Sequence, residues 1–121
     1  MDYATQRMVM YPHLNAAGIL FGGITLSWVV EDAIIFATNM LETNKIAAVK
    51  MSEVSFQSAA NIGDILISDV QLVRTGTTSI TVRCELRNKT TDKVIVTVDE
   101  IVIVALDFNK QPTKHKFAKQ F

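Results

Sequence analysis

The segment from Gly22 to Leu41, GGITLSWVVEDAIIFATNML, constrains the fold more than any other part of this chain. From Gly23 to Leu41 it is apolar on nearly every face, a pattern that belongs to a helix surrounded by other elements rather than one lying on a surface. Its length would also suit a membrane span, but Glu31 and Asp32 stand at its centre, and adjacent acids are costly in lipid. The segment therefore reads as a buried helix, and the rest of the chain must wrap it.

Beyond the helix the chain is rich in Val, Ile and Thr. Ala47 to Phe56, Asp64 to Arg74, Thr77 to Asn88 and Lys93 to Asp107 are separated by NIGD, RTGT and NKTTDK, and they read as four strands joined by short turns. Connections this short cannot be parallel crossovers, so the sheet is expected to be antiparallel. Ahead of the helix, Arg7 to Tyr11 is expected as a first strand. The stretch HLNAAGILFGG, with Asn15, Gly18, Gly22 and Gly23, is expected as a loop. On pattern alone the class is α+β, an antiparallel sheet packed on one helix, and a cystatin-like or ferredoxin-like layout fits the same pattern. The last strand, KVIVTVDEIVIVALD, is long for a strand and is expected to bend or bulge near Asp99 and Glu100. Its apolar outer positions predict contact with another subunit.

With 121 residues, no repeat, no linker composition and its two prolines near the ends, the chain is expected to form one domain over 1–121. Twelve basic residues balance twelve acidic ones, which gives no electrostatic reason to expect nucleic acid as a partner. The opening MDYATQRMVMYPH has no basic region ahead of an apolar run, so no secretory signal is expected. The one cysteine, Cys84, cannot form an intrachain disulfide, which fits a reducing cytoplasm. Within TVRCEL it reads as a packed strand thiol rather than a nucleophile. His13 and His115 are far apart in sequence and give no metal-ligand spacing, so no metal and no cofactor are expected.

Two stretches carry a family likeness. HLNAAGILFGGITLSWVVEDA contains an Asn-x-x-Gly-x-(Leu/Ile)-Phe-Gly-Gly loop and the helix it opens, with Trp28 and Ala33 inside that helix. VSFQSAANIGDILISDVQLVRTGTTSITVRCEL contains Phe56, the pair Gly63-Asp64 and the turn from Arg74 to Ser79. Together with LDFNKQPTKH they resemble the bacterial broad-specificity acyl-CoA thioester hydrolases of the hotdog superfamily over almost the whole chain. The resemblance implies a hotdog fold, a curved antiparallel sheet wrapped around one long central helix. It also implies hydrolysis of an acyl-CoA to CoA and the free acid, in fatty acid metabolism, by a homodimer assembled into a tetramer or hexamer. The site would lie between subunits.

Residue by residue, Gly22 and Gly23 fall where a helix N-terminus offers unpaired N–H groups to a thioester carbonyl, although the pair also serves a tight turn. Asn15 is a candidate to hold water or the carbonyl, against a turn-stabilising role. His13 is read as a loop residue. The family's carboxylate stands seven residues after the second glycine, and that position here is Val30. Glu31 and Asp32 come directly after it, each turned by about 100° per residue step. Glu31 shares a helix face with Ile24, Ser27, Ile35 and Thr38, is expected in the more apolar setting and is the first candidate base. Asp32 is the second, and pairing of either acid with a Lys or Arg across an interface is the alternative. For the CoA phosphates the candidates are Arg74, Thr77, Thr78 and Ser79, with Lys110, Lys114, Lys116 and Lys119 of the tail in reach. Trp28, Phe36 and Met40 read as helix core. The function expected first is acyl-CoA hydrolysis, and the second is an acyl-CoA binding or regulatory subunit with impaired catalysis. A dehydratase of the same superfamily would need a histidine paired with an acid, which neither His13 nor His115 supplies.

Overall fold

The computed structural model describes residues 2–118. Six strands and one long helix run in the order β1 (Asp2–Met8), a 3-10 turn (Tyr11–His13), α1 (Gly22–Leu41), β2 (Ile46–Met51), β3 (Val54–Phe56), β4 (Ile65–Thr75), β5 (Ser79–Asn88) and β6 (Lys93–Ala105). The strands form one antiparallel sheet ordered β1-β4-β5-β6-β2, with β3 also paired to β6. An open, curved sheet against one long helix is the layout a hotdog fold requires.

Two boundaries differ from expectation. The first strand lies at Asp2–Met8, because its pairing with β4 in the register Asp2 to Gln71 outweighs the polar look of DYATQRM. The strand expected over Ala47 to Phe56 is split at Ser52 and Glu53, opposite a bulge in β6. There Val82 and Cys84 of β5 pair with Ile101 and Val98, so Asp99 and Glu100 stand where one residue would fit. Ser52 fills the gap: its N–H donates to the Glu100 carbonyl at 2.8 Å, and its Oγ accepts the Glu100 N–H at 3.1 Å.

The core lies between α1 and the concave face of the sheet. From the helix come Trp28, Val29, Ala33, Phe36, Ala37 and Leu41, and from the strands Leu66, Val70, Ile80, Val82, Leu86, Val96, Val98, Ile101 and Ile103. Ala33 and Ala37 let the helix approach closely. Met40 packs against this core from its edge. Cys84 lies within it at 3.6 Å from Ser68 Oγ, and burial pushes its thiol up to about 11, so it is a packed thiol. The sheet wraps the helix as an open layer rather than a closed barrel. It covers one side and leaves Gly23, Ser27 and Glu31 exposed and Leu26 and Val30 half-buried.

Two loops place the site. Asp64 Oδ2 accepts the Asn61 N–H at 2.9 Å and Asn88 Nδ2 at 2.8 Å, which pins the segment before β4 to the end of β5. Gly63 sits there at φ +84°, a conformation that costs other residues strain. The segment in turn holds the loop before the helix, since Leu20 N–H donates to the Ala60 carbonyl at 2.9 Å.

Candidate active site

The helix begins abruptly. Phe21 is its N-cap and offers no side-chain acceptor, and the first helical bonds run from Ile24 and Thr25 N–H to the Phe21 carbonyl at 3.0 and 3.1 Å. Among the described residues the N–H groups of Gly22 and Gly23 make no hydrogen bond. They stand at the positive end of a helix of 20 residues. A Cβ on Gly22 would lie 3.4 Å from the Phe56 ring, and one on Gly23 only 2.7 Å from the Phe21 ring, so two aromatic rings flank the bare backbone.

Beside Gly22 opens a cavity of about 390 Å3, lined by Asn15, Ile19, Leu20, Thr25, Phe56, Gln57, Ser58, Ala59, Ala60 and Ile95. Asn15 forms the corner of its wall. Its N–H donates to the Ile19 carbonyl at 2.8 Å, and its Oδ1 accepts the N–H groups of Ala17 at 2.9 Å and Ile19 at 3.2 Å. That oxygen is committed to the turn, which leaves the amide Nδ2 as the group with which Asn15 can meet a ligand. Thr25 Oγ1 donates back to the Phe21 carbonyl at 3.3 Å, Ser58 Oγ donates to the Val94 carbonyl at 2.6 Å, and Gln57 Nε2 donates to Thr97 Oγ1 at 3.2 Å. Thr25, Gln57 and Ser58 are site-lining residues that the sequence reading passed over. A polar pair directly after Phe56 was the available signal.

The two acids take settings opposite to those expected. Glu31 is on the open side of the helix, its side chain 53% exposed, whereas Asp32 points into the core at 0%. Apolar neighbours along a helix face do not say which face the sheet covers, and the sheet covers the side of Thr25, Trp28, Val29 and Asp32. Both acids are held by one cation of the same chain: Arg7 Nη2 donates to Asp32 Oδ1 at 2.7 Å and to Glu31 Oε1 at 3.1 Å. Burial alone would push the Arg7 guanidinium down, but these bonds and charges raise it above its ordinary value. Among the described residues Asp32 Oδ2 and Arg7 Nε are buried without a hydrogen-bond partner. The guanidinium also lies 5.4 Å from the centre of the Trp28 ring, whose other neighbour is the His13 ring, edge-on at 4.8 Å. His13 Nδ1 accepts the Met10 N–H at 3.0 Å and the His13 carbonyl accepts the Phe21 N–H at 2.8 Å, so His13 builds the loop.

The structure thus brings Asn15 and Gly22 to one cavity and turns Gly23 toward an exposed strip with Leu26, Ser27, Val30 and Glu31. Glu31 lies eight residues on from Gly23, about 12 Å along the helix. Val30 faces the edge strand β2, beside Ala48, Val49, Lys50 and Met51. Arg74 and Thr77–Ser79 are not near the cavity of their own chain. Ser79 pairs with Val104 and Phe56 with Val96, a separation of about 26 Å along β6. Arg74 Nη1 is bonded to Glu100 at 2.6 Å, which raises the guanidinium and lowers the Glu100 carboxyl. Of the tail lysines, Lys116 pairs with Glu42 at 3.0 Å, and Lys119 lies outside the described residues.

No curated protein matches this sequence. Among solved structures, the chain superposes on an apo hexameric acyl-CoA thioesterase with a TM-score of 0.85 at 24% identity, over 99% of this chain and 78% of that one. It matches a hexameric thioesterase from Yersinia pestis with a TM-score of 0.84 at 23% identity, over 92% of each chain. An acyl-CoA hydrolase from Staphylococcus aureus, solved with butyryl-CoA, CoA and CoA disulfide, gives 0.82 at 21% identity, over 99% of this chain and 73% of that one. These likenesses establish the hotdog fold. The family model of the thioesterase superfamily matches residues 17–95, which span Gly18, Gly22 and Gly23, the whole of α1 and the cavity wall apart from Asn15, and the chain belongs to that superfamily.

Proposed function

We propose that this protein hydrolyses acyl-CoA thioesters to CoA and a free carboxylic acid, at a cleft completed by a second copy of the chain. The observation that carries this reading is the unpaired N–H of Gly22, with that of Gly23 next to it at the helix start, beside a cavity lined by both apolar and polar side chains. Donors aimed at a thioester carbonyl stabilise the negative charge that grows on its oxygen during attack, and each is typically worth about 10²–10³ in rate. Ile19, Leu20 and Ile95 offer an apolar wall for an acyl chain, and Asn15 Nδ2, Gln57 and Ser58 offer polar groups for the thioester and the attacking water.

Among the described residues no carboxylate lines that cavity, and in this reading the base comes from a neighbouring subunit. Glu31, with Oε2 not engaged by Arg7, is the exposed acid of the helix and the residue we assign to this role. The half-buried Leu26 and Val30 on the open helix side, and the exposed Val49 on β2, supply apolar surface for assembly. The hexameric state of the structural relatives supports a homodimer built into a larger ring. In such an assembly Arg74 and the Thr77–Ser79 turn of one copy meet the CoA phosphates held at the cleft of another.

A second reading, an acyl-CoA binding subunit without efficient turnover, is favoured by one specific observation. Mutant structures of the S. aureus hydrolase alter an asparagine and, fifteen positions later, an aspartate. The same spacing from Asn15 leads to Val30. The deciding experiment measures CoA release from acetyl-, butyryl-, hexanoyl- and palmitoyl-CoA by the wild type, Glu31→Gln and Asp32→Asn, each checked for fold and assembly. We expect turnover in the wild type and its loss in Glu31→Gln with acyl-CoA binding kept. Acyl-CoA binding with no release in the wild type would replace the hydrolase by the binding subunit.

A further inference from the structure

At the end of the sheet remote from Gly22, the loop after the helix meets the loop after β6. Leu106 N–H donates to the Lys45 carbonyl at 2.8 Å. Asp107 organises the turn beyond: its Oδ1 accepts the N–H groups of Asn109 at 2.8 Å and Gln111 at 3.0 Å, and its own N–H donates to the Gln111 carbonyl at 2.8 Å. This braced turn displays Phe108, which at 88% is the most exposed large apolar side chain among the described residues. Lys45 Nζ stands 3.5 Å from the centre of the Phe108 ring, and most of the ring is still open. Neither Lys45 nor Lys110 has a carboxylate within salt-bridge distance among the described residues. Between them lies a cavity of about 280 Å3 that Asn44 and Leu106 also line.

An exposed aromatic face on a braced turn, beside two ammonium groups without a carboxylate partner among the described residues, suits a planar base that carries phosphates. Bases stack on aromatic side chains whatever their identity, and lysines meet phosphates as point charges. Asp107 is the one carboxylate lining this cavity, and the two N–H groups on its Oδ1 offset part of its charge. The Thr77–Ser79 turn adjoins the same end of the sheet, since the Thr78 carbonyl accepts the Ala105 N–H at 2.8 Å.

We infer that this cavity is a subsite for a nucleotide, with the base stacked on the open face of Phe108 and the phosphates on Lys45 and Lys110. As the holder of the nucleotide end of an acyl-CoA, a role that rests on the function proposed above, it would serve the cleft of a second copy. In one chain Ala105, beside Lys45, and Val96, beside Phe56, are about 30 Å apart along β6. A free nucleotide carries the same chemistry and would make it a separate effector site.

Calorimetric titration of the full chain with adenosine 3′,5′-bisphosphate, CoA, ATP and pantetheine, at low and at physiological salt, tests the inference. The bisphosphate is expected to bind, more weakly as salt rises. Phe108→Ala is expected to weaken it about tenfold or more, the usual consequence of losing a base-stacking ring. The Lys45→Ala/Lys110→Ala pair should weaken it too and flatten its salt dependence, with Lys89→Ala as an unchanged surface control. If CoA shows the same dependence on Phe108 while pantetheine does not, the subsite belongs to the thioester substrate. If ATP shows it and CoA does not, the subsite binds a free nucleotide. Failure of all three nucleotides to bind, or affinities that Phe108→Ala and the lysine pair leave within about twofold, would overturn the inference. Absent CoA release with nucleotide binding that still depends on Phe108 would count against the hydrolase alone.

Discussion

Replacing Arg7 by leucine separates the two acids of the helix by energy. Asp32 is fully buried, has one oxygen bonded to Arg7 Nη2 at 2.7 Å, and has no protein partner for the other. Removing the cation leaves a carboxylate in the core without compensation, which costs about 3–5 kcal/mol. Glu31 is half-exposed and loses only a surface pair, worth about 0–1 kcal/mol. The Asp32 contribution therefore decides the outcome. For a chain of 121 residues, at roughly 4 °C of melting temperature per kcal/mol, Arg7→Leu is expected to melt about 12–20 °C below the wild type. Glu31→Gln should melt within about 4 °C of it. The double variant Arg7→Leu/Asp32→Asn, which removes the orphaned charge, should regain at least about 2 kcal/mol relative to the sum of the single changes. Guanidinium unfolding monitored by far-UV circular dichroism, at one protein concentration with assembly checked by light scattering, reads all five proteins, the single variant Asp32→Asn included. An Arg7→Leu loss under about 1 kcal/mol, or strict additivity in the double variant, would refute the buried ion pair.

The geometry also predicts the outcome of three other changes. Gly22→Ala should move stability and function in opposite directions: the helix gains up to about 1 kcal/mol in propensity, while thioester turnover or affinity falls at least about tenfold as a methyl enters the space beside Phe56. Val30→Asp should raise kcat/KM by about tenfold or more in CoA-release assays, because it places a carboxylate on the half-open strip beside Glu31; an unchanged rate would count against a shortage of base as the limit on catalysis. Cys84 gives a pH signature. Its thiol, ordinarily near 9.0, stays protonated in the folded chain to about 11, so the folded state holds more protons across that window and stability falls as pH rises through it. The loss is about 3 kcal/mol in all, and Cys84→Ala should remove that component from denaturation curves taken at pH 8 to 11.

Much of the fold was legible because the signals were local. The long, largely apolar run announced the helix to within one residue of its start, and turn residues marked the ends of β4, β5 and β6. Adjacent acids in an otherwise apolar strand marked the bulge at Asp99 and Glu100. DYATQRM was missed because an edge strand needs few apolar residues, and the break at Ser52 because it answers a bulge in a partner far along the chain. The settings of Glu31 and Asp32 depend on which side of the helix the sheet covers, and on an arginine 24 and 25 residues away. Helix periodicity contains neither fact. Asn15 and the two glycines were singled out through the family loop that HLNAAGILFGG resembles, and the structure sets Asn15 and Gly22 at one cavity. Gln57 and Ser58 reach the cavity only through the path of the chain after β3.

The bulge also acts as a phase shifter in the longest strand. Before it the buried β6 side chains that pair with β5 carry even numbers, Val96 and Val98; after it they carry odd ones, Ile101 and Ile103, and Ala105, opposite Ile46 of β2, continues the odd phase. Without the extra residue, Val102 and Val104 would face the helix, and three side chains that complete the core would face outward. A deletion at Asp99 or Glu100 is thus a frameshift in three dimensions: it alters no apolar residue, yet turns half of β6 inside out.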